Sequence, residues 1–142
     1  MNDLSKFPRD TAWSFTDFSD GYGDWNKLSS SDSFIQDGLC YCTTRRNASS
    51  MTSLNFSKRF NRPDGLYLLQ MRFKSTVAGH FLGVQVHTSA FQIRHPGEEA
   101  FSEVAMVLPL KDQELTSIVT GCRPNAPEGR IIIDWIQVDL WE

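Results

Sequence analysis

Side chains alternate most regularly in the segment Leu66-Tyr67-Leu68-Leu69-Gln70-Met71-Arg72-Phe73. The residues that would share one face of a strand are Tyr67, Leu69, Met71 and Phe73, all of them apolar or aromatic. Gln70 and Arg72 would share the opposite face. The preceding Pro63-Asp64-Gly65 is typical of a tight turn. This segment therefore predicts a strand with one buried face and one polar face.

Segments of the same kind occur along the rest of the chain. Further strands are predicted at 34–44, 51–60, 81–87, 104–108, 115–120 and 130–141. Pro109 is expected to end the strand at 104–108, because proline has no N–H to donate to a neighbouring strand. A single helical turn is a candidate at 111–115. About eight strands without a long helix predict an all-β chain folded as an antiparallel β-sandwich.

The segment 130–141 is the longest of these predicted strands. Its even positions include Ile132, Asp134, Ile136 and Val138, and its odd positions include Ile131, Ile133, Trp135, Gln137 and Asp139. Uninterrupted alternation would put Asp134 on the apolar face formed by the even positions. A buried carboxylate needs a cation or hydrogen-bond donors, so we expect Asp134 to have such a partner.

Composition and charge limit the possible functions. The 142 residues fit a single domain over 1–142, in which 1–12 would be a polar lead-in or linker. A content of 40% hydrophobic and 12% aromatic residues supports a core and excludes a disordered chain. The net charge of −3 argues against nucleic acid as a partner. No apolar run approaches the ~20 residues of a membrane-spanning helix, and no secretory signal is visible, so membrane insertion is not expected.

The three cysteines, Cys40, Cys42 and Cys122, have no spaced histidines and do not form a zinc-binding pattern. In a strand, Cys40 and Cys42 would point to the same face, and a disulfide between them would be strained. We expect buried free thiols in a reducing compartment. A bridge from Cys122 to one of the other two is the alternative.

The sequence carries no recognisable catalytic motif. His80, His87 and His95 are accompanied by many Ser and Asp residues, but no Ser lies in a Gly-x-Ser-x-Gly elbow. A glycine-rich phosphate loop and a His-Glu-x-x-His motif are also missing. We therefore expect that the domain is not an enzyme.

The two ends of the chain carry a family resemblance. The segments concerned are Phe15-Thr16-Asp17-Phe18-Ser19-Asp20-Gly21-Tyr22-Gly23-Asp24-Trp25 and Ile131-Ile132-Ile133-Asp134-Trp135-Ile136-Gln137-Val138. Together they resemble the galactose-binding-like jelly rolls, which include many carbohydrate-binding modules and domains of phage tail fibres and tailspikes. The resemblance implies a jelly-roll sandwich whose first and last strands meet in one sheet, with Trp25 in the core. It also implies a structural Ca²⁺, with Asp17, Asp20 and Asp134 as its candidate ligands.

Sugar-binding sandwiches combine aromatic rings that stack on a sugar with planar polar groups that bond its hydroxyls. The polar faces of the predicted strands supply such groups. The candidate ligand-binding residues are Arg72, Gln85, His87, Trp135, Gln137 and Asp139. If their strands lie in one sheet, these six side chains would form one surface. The alternative is an ordinary solvated outer face.

The resemblance and these residues predict a non-catalytic, lectin-like domain that binds a glycan or polysaccharide within a larger surface-recognition or polysaccharide-degrading protein. The alternative is a structural or protein-interaction sandwich without a sugar ligand, for example an oligomerising tail-fibre module. A domain from a phage fibre would form a homo-oligomer, specifically a trimer. The resemblance also implies an extracellular location or one on the virion surface.

Overall fold

The computed structural model describes residues 14–27, 33–44, 53–56, 64–78, 80–86, 89–94, 100–111, 117–122 and 129–141. Within these ranges the strands are β1 (Ser14–Thr16), β2 (Trp25–Lys27), β3 (Ser33–Gln36), β4 (Leu39–Thr44), β5 (Ser53–Phe56), β6 (Asp64–Ser75), β7 (His80–Val86), β8 (Ser89–Arg94), β9 (Ser102–Lys111), β10 (Ser117–Cys122) and β11 (Gly129–Trp141). The same ranges contain no helix, and so none long and apolar enough to cross a membrane. The prediction of an all-β chain is confirmed, while 1–12 lies outside the described residues.

The strands form two antiparallel sheets that pack as a sandwich. The six-stranded sheet has the order β3-β4-β11-β6-β9, and its sixth strand, β1, also pairs with β11. The five-stranded sheet has the order β2-β5-β10-β7-β8. Along β11, one edge pairs with β6 throughout. The other edge pairs first with β4 and then with β1, where Ser14 lies opposite Val138. The first and last strands therefore meet in one sheet, as the family resemblance implied.

The core lies between the two sheets and draws large side chains from both. The six-stranded sheet contributes Cys40, Cys42, Tyr67, Leu69, Met71, Phe73, Leu108, Ile131, Ile133, Ile136 and Val138. The five-stranded sheet contributes Trp25, Leu54, Leu82, Val84 and Ile118. Trp25 is 1% exposed, which confirms the expectation that it is a core residue. Burial of such apolar surface is the main favourable term in folding.

The strand β11 contains a β-bulge at Asp134. One step along β6, from Phe73 to Arg72, is matched by two steps along β11, so Asp134 is the extra residue. The core-facing residues of β11 are Ile131, Ile133, Ile136 and Val138. The expectation of uninterrupted alternation is therefore wrong. Asp134 lies half-exposed on the outer face instead of among the apolar side chains of the core.

The prediction that Pro109 ends its strand is also wrong. β9 continues through Pro109 to Lys111, and Pro109 lies opposite Leu66. β9 is the last strand in the order of its sheet, and an edge strand tolerates a residue without an N–H on its free side. The helical turn expected at 111–115 lies outside the described residues, apart from Lys111 at the end of β9.

The segment 34–44, predicted as one strand, is a hairpin of β3 and β4. Asp37 and Gly38 form its two-residue turn and have φ values of 53° and 72°. Positive φ at both central residues is the geometry of a type I′ turn, for which Asp-Gly is a preferred sequence. The turn aligns the two strands so that Phe34 lies opposite Tyr41. This extra strand is one reason why the structure has more strands than expected.

Both Cys40 and Cys42 are free and fully buried in the core. Their sulfur atoms lie 3.9 Å apart on the same face of β4, as the sequence predicted. The hydrogen bond with Cys40, together with burial, raises the pKa of the Cys42 thiol well above its usual value. Neither sulfur forms a bridge to Cys122.

Candidate functional site

The outer face of the six-stranded sheet carries side chains from every strand of that sheet. Strand register aligns four of them in one row, which we call the aromatic row: Phe34, Tyr41, Ile132 and Lys74. Each comes from a different strand, β3, β4, β11 and β6 in that order. Their neighbours along these strands, such as Cys40 and Phe73, point into the core. The row therefore crosses most of the sheet on the side away from the core.

The aromatic row begins with two stacked rings. The Phe34 and Tyr41 rings are parallel within 1°, and their centroids are 4.9 Å apart. Arg130 lies two residues before Ile132 on β11 and shares its face. The guanidinium carbon of Arg130 is 5.1 Å from the centroid of the Phe34 ring, which is a cation–π contact. Both rings are half-buried, so part of each remains accessible.

A third aromatic ring, that of Phe101, lies at the opposite edge of the sheet. Phe101 immediately precedes β9 and is half-buried. The Lys74 ammonium is 4.8 Å from the centroid of this ring, and the Arg72 guanidinium carbon is 5.0 Å from it. Each edge of the outer face therefore holds an aromatic ring with a cation against it.

Arg72 also forms an ion pair with Asp134. The distance between Arg72 Nε and Asp134 Oδ2 is 3.2 Å, and the two side chains are 38% and 35% exposed. The Arg72 Nε–H nevertheless makes no properly directed hydrogen bond to a described residue, so the contact is electrostatic. A half-exposed pair of this kind is worth less than about 1 kcal/mol. Arg72 is therefore the cationic partner that was predicted for Asp134, although Asp134 is half-exposed and not buried.

The other part of the outer face is closely packed and polar. Trp135 is 6% exposed and Gln137 is 1% exposed. The Trp135 and Phe15 rings have centroids 6.2 Å apart. The Gln137 amide nitrogen donates to Gln70 Oε1 at 3.3 Å and to Asp139 Oδ2 at 3.0 Å. These bonds satisfy a buried amide and hold it in one orientation.

Four of the six predicted ligand-binding residues lie on this face, on the two adjacent strands β6 and β11. They are Arg72, Trp135, Gln137 and Asp139. Gln85 does not join them: it lies on β7 in the five-stranded sheet, exposed on the opposite side of the sandwich. The expectation of a single surface is wrong for Gln85, because alternation gives the side of a strand but not its sheet. His87 lies outside the described residues.

The three candidate calcium ligands do not form one donor set. Asp17 Oδ1 accepts hydrogen bonds from the Ser19 hydroxyl at 2.7 Å and the Ser19 backbone N–H at 3.1 Å, and these bonds lower the pKa of Asp17. Asp20 is exposed, and Asp134 is paired with Arg72. In the part of the chain that the structure describes, no three His, Cys, Asp or Glu residues are grouped so that they could hold a metal ion. Calcium binding stays a prediction.

Searches with the sequence find no matching family model and no matching curated protein. Solved structures do match. The C-terminal family 6 carbohydrate-binding module of the laminarinase LamC from Zobellia galactanivorans matches with a TM-score of 0.50 and 13% identity, over 92% of this chain and 94% of that chain. A point mutant of a family 29 carbohydrate-binding module matches with a TM-score of 0.55 and 14% identity, over 88% and 91% of the two chains. The chain has the galactose-binding-like jelly-roll fold.

A third solved structure that matches this chain is another mutant family 29 carbohydrate-binding module, which is complexed with cellulohexaose. Its TM-score is 0.54 at 13% identity, over 88% of this chain and 90% of that chain. At this level of identity the likeness establishes the fold alone. The jelly-roll resemblance found in the sequence is therefore confirmed as a fold, and these structural neighbours are carbohydrate-binding modules.

Sequence reasoning missed five residues on the accessible part of this jelly roll. They are Phe34, Tyr41, Lys74, Phe101 and Arg130. The Asp37-Gly38 turn was the available signal for two of them, because a two-residue hairpin loop fixes the register and places Phe34 opposite Tyr41. No local signal indicated Phe101, which lies next to its cations only because β9 pairs with β6.

Proposed function

We propose that this domain binds a polysaccharide, without cleaving it, on the outer face of its six-stranded sheet. The observation that carries the proposal is the aromatic row, in which stacked aromatic rings and a cation extend across four strands. An outer face that only contacts solvent is expected to carry polar side chains, without a row that contains stacked aromatic rings. The fold supports the same conclusion, because its structural neighbours are carbohydrate-binding modules.

The face has the chemical groups that sugar binding needs. The half-buried ring edges and faces of Phe34 and Tyr41 would contact the apolar side of a sugar ring. The half-exposed Arg72, which contacts Phe101 near the other edge of the sheet, would donate hydrogen bonds to sugar hydroxyls there. The rings already contact each other, so binding would order few additional side chains and would lose little conformational entropy.

Replacing Tyr41 with Ala is expected to weaken retention by a polysaccharide about tenfold or more, as for an aromatic anchor of a binding surface. Affinity electrophoresis through gels that contain β-glucans, mannans, galactans and uronate polymers measures the retention. Tyr41 is only half-buried, so the melting temperature should change little. Phe91→Ala is the matched control, because Phe91 is an exposed aromatic residue on β8 of the other sheet. Equal losses in the two variants, or no retention of the original protein by any polymer, would contradict the proposal.

A structural Ca²⁺ and a homo-oligomer are further proposals, supported by the family resemblance alone. The calcium would need ligands besides Asp17, Asp20 and Asp134, because these three carboxylates do not form one donor set. If calcium stabilises the fold, EDTA should lower the melting temperature and added calcium should restore it. Magnesium is the control, because it needs shorter octahedral bonds than calcium and retains several of its waters. An unchanged melting temperature in EDTA would remove calcium from the proposal. Sizing of the same samples tests the oligomer.

A structural or protein-interaction module is the second candidate. Two apolar side chains on the same outer face are exposed: Val107 on the edge strand β9 and Leu66 on the neighbouring strand β6. Exposed apolar residues at a sheet edge are typical of contacts with another chain. This candidate predicts that no polysaccharide retains the domain and that Leu66→Ser dissociates an oligomer.

A further inference from the structure

The accessible part of the outer face is rich in cations, although the chain as a whole has a net charge of −3. Arg130, Arg72 and Lys74 all lie there, and each one contacts an aromatic ring. In the described part of the chain, the carboxylates on the same part of the face are Asp134 and Glu103. Both lie beside Arg72: Asp134 forms its ion pair, and Glu103 is its partner in the strand register. Among the described residues of this part of the face, cations therefore outnumber carboxylates by three to two.

The rings at this site also restrain the cations. The Phe101 ring has two cations within 5.0 Å of its centroid, and the Phe34 ring has Arg130 at 5.1 Å and Tyr41 on a parallel plane. A ring in contact with a guanidinium or an ammonium restrains the long side chain of that cation. This restraint reduces the entropy lost when the cation binds an anion, and the accessible parts of the rings stay available to the sugar.

The cations extend towards aromatic rings at opposite edges of the sheet. Phe34 is on β3, the first strand in the sheet order, and Phe101 immediately precedes β9, the last strand. Four strand spacings separate β3 from β9, so the two edge strands lie about 19 Å apart, while the cations themselves come from the adjacent strands β11 and β6. A single monosaccharide could not reach from one edge to the other, whereas an extended chain that lies across the strands could do so.

We infer that the polysaccharide bound by this face is acidic. Carboxylate or sulfate groups of an extended glycan would contact Arg130 beside Phe34, and Lys74 and Arg72 beside Phe101. Guanidinium groups bind such planar or tetrahedral anions through paired N–H donors, and an ammonium binds them as a point charge. This inference rests on the proposed function and specifies the chemical class of its ligand.

Matched polymers test the inference. A polyuronate is compared with the same polymer after reduction of its carboxyl groups to alcohols, and a sulfated galactan is compared with its desulfated form. The acidic member of at least one pair is expected to bind the domain about tenfold more tightly in low salt, and added salt should reduce this difference. The pair that shows the difference identifies carboxylate or sulfate as the anionic group.

Matched variants assign the effect to this face. Arg130→Gln and Lys74→Gln should each lose about fivefold to tenfold in affinity for the acidic polymer and little for the neutral one. Arg94→Gln on β8 of the five-stranded sheet removes the same charge from an exposed position and should have no such effect. Melting temperatures of all three variants should remain close to that of the original protein, because exposed and half-buried charges contribute little to stability.

The possible outcomes separate the inference from the proposed function. Equal binding of acidic and neutral polymers overturns the inference and leaves polysaccharide binding intact. Equal losses in Arg94→Gln and Arg130→Gln, or equally tight binding of DNA, indicate a general attraction to polyanions and also overturn it. A failure to bind any polymer overturns both proposals.

Discussion

Replacing Trp25 with Ala is expected to lower the free energy of unfolding by about 3–5 kcal/mol, the usual cost of removing a large aromatic side chain from a core. Trp25 is 1% exposed and lies on β2, a strand of three residues that pairs with β5 at the edge of the five-stranded sheet. So short a strand adds few backbone hydrogen bonds, and its position therefore depends on this buried side chain. The total free energy of unfolding of a domain is about 5–15 kcal/mol, so this loss would be a large part of it.

Urea denaturation and thermal melting measure this loss, which corresponds to a fall in melting temperature of roughly 10 °C or more for a chain of this size. Trp25→Phe is the matched control and should lose less, because its aromatic ring leaves a smaller cavity. An unchanged stability of Trp25→Ala would mean that the indole is not in the core. Trp25 would then become a candidate for contact with a sugar.

Replacing Trp135 with Ala is expected to cost about 3 kcal/mol in stability, although Trp135 lies on the outer face. It is only 6% exposed, packs near Phe15, and follows the bulge at Asp134. A loss of polysaccharide retention in this variant would therefore not show by itself that the indole contacts the ligand. Trp135 differs in this respect from Tyr41, whose ring is half-buried.

Thermal melting combined with affinity electrophoresis well below the melting temperature distinguishes the two effects for Trp135. We expect Trp135→Ala to melt at a lower temperature, and Trp135→Phe to recover most of the loss because it keeps a ring next to Phe15. A variant that retains full stability but loses its affinity for the polymer would contradict this prediction. That result would make Trp135 a direct contact to the ligand.

The fold was predictable where it depends on local pattern. Alternation in 66–73 correctly identified the residues that face the core, and the motif near the N-terminus correctly indicated Trp25. Features that depend on neighbouring strands were not predictable. Pro109 is tolerated because β9 is at the edge of its sheet, and the bulge at Asp134 exists only in relation to β6. Both require the strand order, which long-range contacts determine.

The candidate site was predictable to a smaller extent. Alternation correctly put Arg72 and Gln137 on outer faces, and their strands are neighbours. The same pattern could not show that Gln85 belongs to the other sheet. Nor could it show that Trp135 and Gln137 would be buried, because exposure on a sheet face depends on the sizes of side chains on adjacent strands.

The bulge at Asp134 shifts the alternation of side chains along β11 by one residue. Odd-numbered residues face the core before it and even-numbered residues face the core after it. If Asp134 took a regular place in the strand, Ile136 and Val138 would turn outward and Trp135 and Gln137 would turn inward, whereas deleting Asp134 would remove the bulge and leave both pairs on their present faces. A sequence comparison guided by alternation alone would likewise align the second half of the strand one position out of register.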